Sequence, residues 1–133
     1  MRTVFADTFY YIAFLNPSDE AHERAKVFTQ AYNGRMVTTE LVLTELADGM
    51  AAPQTRKRCV AFIDWLRLDE DVTISPATSE LFQEGLALYR DRDDKKWSLT
   101  DCTSFVAMKR EGIVEALTGN HNFEQAGFKP LLS

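Results

Sequence analysis

Thr3-Val4-Phe5-Ala6-Asp7-Thr8 opens the chain with a short apolar run that ends on a carboxylate and a hydroxyl. The run does not alternate between apolar and polar residues, which suits a parallel strand buried on both faces. Asp7 then stands at the carboxyl end of that strand, where open α/β sheets place their ligand sites. Similar short runs recur at Arg35–Thr38, Val72–Ser75 and Ile113–Thr118, with Phe128–Leu132 as a candidate edge strand. Between them lie stretches with helical spacing. Phe9–Leu15 is short and apolar, and Asn16-Pro17-Ser18 stops it. A helix is expected from Ser18, as N-cap, to Tyr32, with Gly34 in the position of a C-cap glycine. Another follows the second strand through Met50. A further one starts with Pro53 in its first turn and runs to about Leu68. Residues 78–90 form an amphipathic helix with Leu81, Phe82, Gly85, Leu88 and Tyr89 inward. Strands alternating with helices in this way predict an α/β fold: a parallel sheet of four to five strands with helices on both faces, in three layers.

The most informative helix start is Trp97-Ser98-Leu99-Thr100-Asp101-Cys102-Thr103-Ser104-Phe105. Ser98 is a good N-cap, and Asp101 falls at N3, near the positive end of the helix dipole. Cys102, Phe105, Val106 and Met108 anchor the helix in a core. An Asp at N3 is by itself an ordinary capping residue. Its company gives it more weight: Asp7, Asn120 after the fourth strand, and Glu45, which projects between Leu41 and Val42 on an inward helix face. A carboxylate pointed inward needs a partner, because burying an unpaired charge is costly.

The chain has 133 residues, 45% of them hydrophobic and 26% charged, as expected of one globular domain over residues 1–133. No repeat, low-complexity tract or long linker divides it. The formal net charge of -5 argues against binding nucleic acid through a basic surface alone. It does not exclude an enzyme that meets phosphates through a metal ion. The two cysteines, Cys59 and Cys102, fall on buried helix faces and make no disulfide framework. The N-terminal residues form neither a signal-peptide run nor a membrane helix, so a cytoplasmic protein is expected.

In a parallel sheet, Asp7, Glu45, Asp101 and Asn120 could meet in one crevice. Three carboxylates in a dry crevice repel one another, and a divalent cation removes the conflict. Oxygen ligands without Cys or His select Mg²⁺ or Mn²⁺ over zinc. The chemistry this serves is phosphodiester hydrolysis.

Five pieces in order carry a family resemblance: Phe5-Ala6-Asp7-Thr8; Asp19-x-x-His22-x-x-Ala25; Thr38-Thr39-x-x-x-x-Thr44-Glu45-Leu46; Asp94-Lys95-x-Trp97-Ser98-Leu99-Thr100-Asp101-Cys102-x-Ser104-Phe105; and Ala116-Leu117-Thr118-x-x-x-x-Phe123-x-x-Ala126-Gly127-Phe128. Over its whole length the chain resembles PIN domains, in particular the VapC-like toxin ribonucleases of prokaryotic toxin–antitoxin systems. The resemblance implies a Mg²⁺- or Mn²⁺-dependent endoribonuclease, held by a protein antitoxin and commonly a homodimer. It places the family's first three acids on Asp7, Glu45 and Asp101, as catalytic residues and metal ligands. Thr8 matches the hydroxyl residue after the first acid and is a candidate substrate contact. At the fourth acidic position this chain has Asn120, which keeps one carbonyl oxygen but lacks the negative charge. That departure motivates an alternative: a weakened PIN domain that acts as an RNA- or protein-binding module. An aspartyl-phosphate enzyme built on Asp7 is disfavoured, because Phe9 stands where a second Asp is needed.

Of the remaining candidates, Lys95 and Lys96, with Arg90 and Arg92, are the best phosphate contacts, although a charged loop of this kind is often simply solvated. Arg56, Lys57 and Arg58 read as a solvated helix face, His22 as structural and Trp97 as a core residue. His121 falls beside the crevice.

Overall fold

The computed structural model describes residues 1–133. Its elements run β1 (Thr3–Ala6), α1 (Thr8–Leu15), α2 (His22–Ala31), β2 (Arg35–Thr39), α3 (Glu40–Gly49), α4 (Pro53–Leu68) and β3 (Val72–Ser75). Then come α5 (Ser79–Asp91), α6 (Leu99–Glu111), β4 (Glu115–Leu117), α7 (His121–Gln125) and β5 (Lys129–Pro130). The five strands form one sheet in the order β3-β2-β1-β4-β5, and every pairing is parallel. Val4, Phe5 and Ala6 are all fully buried. Successive strand residues point to opposite faces, so helices cover both sides of β1. On one side Phe5 meets Phe123 of α7 at 6.5 Å, and Phe123 meets Phe105 of α6 edge-on at 4.9 Å.

β1 is the pivot of this order. From it the chain first winds outward through β2 and β3, then crosses to the other side for β4 and β5. The winding direction therefore reverses between β1 and β4, and the carboxyl ends of those two strands flank the crevice that such a reversal creates.

Local chemistry accounts for the elements. Thr39 caps α3 by accepting from the Val42 N–H at 3.0 Å, and Thr78 caps α5 from Leu81 at 3.0 Å. Gly112 ends α6 in the left-handed conformation at φ 68, which favours glycine. No helix of the chain is long and apolar enough to cross a membrane.

The structure corrects several local expectations. α2 starts at His22 with Ala21 as an uncapped N-cap, not at Ser18. The side chains of Asn16 and Asp19 instead accept from the Ser18 and Ala21 N–H groups, at 3.0 and 2.9 Å, so turns occupy this stretch. Gly34 is not a helix cap. A Cβ there would lie 2.6 Å from both the Arg2 carbonyl oxygen and the Tyr32 hydroxyl, so glycine permits that close approach. Phe82 and Tyr89 do not face inward; they are 46% and 48% exposed. α5 packs mainly on α6, through a narrow stripe that includes Leu81 and Gly85, which leaves its flanks in solvent. β4 is shorter than expected, and the turn after it contains the one-turn helix α7.

Candidate active site

Asp7 follows β1 directly and is the N-cap residue of α1, though its side chain makes no capping bond. Thr118 follows β4 directly. The pairing of β1 with β4 sets Ala6 opposite Leu117, so the next residue of each strand also meets the other. The Thr118 hydroxyl donates to Asp7 Oδ2 at 2.9 Å. Asp7 is only 4% exposed, and no basic side chain pairs with it. Burial pushes its carboxyl from 3.8 up to about 7, against the lowering effect of the Thr118 hydrogen bond. The nearby charges of Asp101 and, more weakly, Glu45 push it the same way.

Asp101 sits where the sequence places it. The Ser98 hydroxyl accepts from the Asp101 N–H at 2.9 Å, and Asp101 Oδ2 accepts from the Ser98 N–H at 3.2 Å. This reciprocal capping box fixes the carboxylate on the first turn of α6. A second donor, Asn122 Nδ2, reaches the same oxygen at 2.9 Å. Each acid therefore has one oxygen, Oδ2, tied to the protein by a side-chain donor.

Glu45 lies half-buried on α3, on the expected inner side, and forms no ion pair. Asp7, Glu45 and Asp101 are the expected metal ligands. No group of three or more Asp, Glu, His or Cys side chains closes around a common point. Asp7 and Asp101 form the inner pair, with Glu45 as a neighbour whose charge Asp7 still feels. The donors are oxygens only, and the buried Asp7 carboxylate lacks a cationic partner. Both features fit a hard divalent cation such as Mg²⁺ or Mn²⁺.

Asn120 is brought to this place, but its carbonyl oxygen is engaged. It accepts from the Asn122 N–H at 2.9 Å and caps α7. Thr8 is buried, and its hydroxyl is directed at the Val42 carbonyl at 3.5 Å, which links α1 to α3; the structure gives it a packing role. Lys96 is exposed and Lys95 half-exposed, in the loop that leads to Ser98. Arg92 is held by Asp94 at 3.0 Å and lies over the Trp97 ring at 5.2 Å. Trp97 is buried against Phe105, and its Nε1–H donates to Gln125 at 3.0 Å, so it is a core residue. His22 is structural too, through a 2.8 Å hydrogen bond between its Nδ1 and the Ala13 carbonyl.

The comparisons with known proteins bear on this geometry. The family model described as the PIN domain matches residues 4–129. The chain belongs to the PIN domain family. A curated relative from Mycobacterium tuberculosis, the 23S rRNA-specific endonuclease VapC20, is 27% identical over 125 residues, covering 94% of this chain and 95% of the relative. The crystal structure of VapC20, described as a sarcin-ricin loop cleaving toxin, superposes with a TM-score of 0.86 over the same shares of the two chains. FitAcB from Neisseria gonorrhoeae is 14% identical with a TM-score of 0.66, covering 96% of this chain and 94% of that one, a likeness of fold alone.

Within this PIN domain, sequence reasoning found both inner acids but assigned no role to Thr118 or Asn122. The available signal was local. Thr118 is a polar residue at the carboxyl end of an apolar strand, and Asn122 lies two residues beyond the family's fourth acidic position.

Proposed function

We propose that this PIN domain is a Mg²⁺- or Mn²⁺-dependent endoribonuclease that hydrolyses RNA phosphodiester bonds as the toxin of a toxin–antitoxin pair. The observation that carries the reading is Asp7: a carboxylate buried at the switch point of the sheet, beside Asp101 and with no basic side chain paired to it. The likeness to VapC20 over almost the whole chain supports the same reaction class and makes ribosomal RNA the first substrate to try.

Asp7 and Asp101 are the residues that would hold the cation. A divalent ion bound there supplies charge neutralisation at the phosphate and a more acidic water. Glu45, close by and unpaired, orients the attacking water and accepts its proton. As water adds to phosphorus, the bond to the leaving ribose oxygen breaks. Asn120 contributes no charge and holds α7 in place. Lys95 and Lys96, on the loop that enters α6, attract the RNA backbone. The exposed apolar side chains Val60, Trp65 and Leu68 of α4, and Phe82 and Tyr89 of α5, offer surface for an antitoxin and for a second copy of the chain. The cytoplasm is the compartment in which such a protein meets its RNA.

The test incubates purified protein with total RNA in Mn²⁺ or Mg²⁺, in excess chelator, and with Asp101→Asn. Discrete products that need the ion and disappear in the variant are expected. RNA that is bound but left intact in Mn²⁺ would favour the binding-module alternative that Asn120 motivates.

A further inference from the structure

An unbroken chain of hydrogen bonds joins the two inner acids. The Thr118 hydroxyl donates to Asp7 Oδ2 at 2.9 Å and accepts from the Asn120 N–H at 3.0 Å. Asn120 Oδ1 accepts from the Asn122 N–H at 2.9 Å. Asn122 Nδ2 then donates to Asp101 Oδ2 at 2.9 Å. The same nitrogen lies 3.4 Å from the Lys96 carbonyl oxygen, so it also touches the loop that enters α6. An ionised carboxylate only accepts, so the Asn122 amide must face Asp101 through its nitrogen.

Every link between the acids is a hydroxyl or an amide. The relay therefore fixes two like charges relative to each other without adding a third. At its far end, Asp101 Oδ2 is gripped from two directions, by the Ser98 N–H within α6 and by Asn122 from α7. Two donors on one oxygen stop the carboxylate from rotating and keep its other oxygen aimed. Capping alone needs only the first donor, so capping does not account for the second.

We infer that Asn122 is a positioning residue that clamps Asp101 in register with Asp7 through the Thr118–Asn120 relay, and so sets how tightly the acidic pair holds a divalent cation. The inference rests on the nuclease reading above.

The experiment compares wild type, Asn122→Ala and Asn122→Leu. The leucine variant keeps a branched side chain at this half-buried position and removes its hydrogen-bonding groups. Mn²⁺ binding is measured by isothermal titration, folding by thermal unfolding in metal-free buffer, and cleavage as kcat and KM on RNA. Both variants are expected to unfold cooperatively, to bind Mn²⁺ about 10-fold or more weakly, and to lose kcat with little change in KM. Wild-type Mn²⁺ affinity in a folded variant would overturn the clamp and leave the nuclease reading standing. A wild type that neither binds Mn²⁺ nor cleaves RNA would overturn both.

Discussion

Asp7→Asn should abolish RNA cleavage and at the same time make the metal-free protein more stable. Asp7 is buried at the end of β1, and its carboxyl is raised from 3.8 to about 7, chiefly by burial. The folded protein thus binds this proton more tightly than the unfolded chain does. Well below pH 4 the group is protonated in both states and costs nothing. As pH rises from 4 to 7 the unfolded chain releases the proton first, and the folded state loses stability. Above pH 7 the full penalty applies, about 4 kcal/mol at 1.36 kcal/mol for each tenfold change in proton affinity. Asparagine has the same shape, can still accept from the Thr118 hydroxyl, and carries no charge. It should recover about 2–4 kcal/mol at pH 8, on the order of 10 °C in Tm for a chain of this size. The gain should shrink toward zero at pH 4. Mn²⁺ should raise the Tm of wild type and leave that of the variant unchanged, because only the wild type binds it. The assay is thermal unfolding at pH 4, 6 and 8, with and without Mn²⁺, beside a cleavage assay. A variant no more stable than wild type at pH 8, or equally favoured at pH 4, would refute the argument that Asp7 is an uncompensated buried charge. Retained cleavage would refute its place in the site.

Three further outcomes follow from the same geometry. Glu45→Gln should keep most of the Mn²⁺ affinity, as measured by titration, while lowering the single-turnover cleavage rate on the order of 10²-fold; a large loss of affinity would make Glu45 a ligand instead. Asn120→Asp keeps the α7 cap, since Asp accepts as well as Asn, and adds a charge beside the acidic pair. Its Mn²⁺ affinity should rise and its metal-free Tm fall, and unchanged values in both would separate this position from the site. Gly85→Ala puts a Cβ 2.4 Å from Thr103 Cγ2 and 3.2 Å from its backbone, where α5 crosses α6. It should cost about 1–3 kcal/mol, read from the midpoint of urea unfolding, and a neutral result would mean the two helices part easily.

The amino-acid sequence by itself determined the elements whose signals are local. Pro53 marks the first turn of α4, and the Val72–Ser75 run ends at Pro76, because proline restricts the backbone wherever it stands. Ser98 and Asp101 lie three residues apart, so their capping box closes within one helical turn and needs nothing from the rest of the chain. The unalternating run before Asp7 announced a strand buried on both faces, with a carboxylate at its end. Tertiary structure alone decided what those residues meet. Thr118 reaches Asp7 across 111 positions, and only the placement of β4 beside β1 brings them together. Asn122 finds Asp101 because α7 turns back against the start of α6. The outward side chains of Phe82 and Tyr89 were illegible for the same reason: a helical stripe gives periodicity, but the width of the face that becomes buried depends on the neighbour that covers it. Short-range chemistry thus placed each acid on its element. The winding of the sheet, a property of no single segment, set the acids together with the charge between them unpaired.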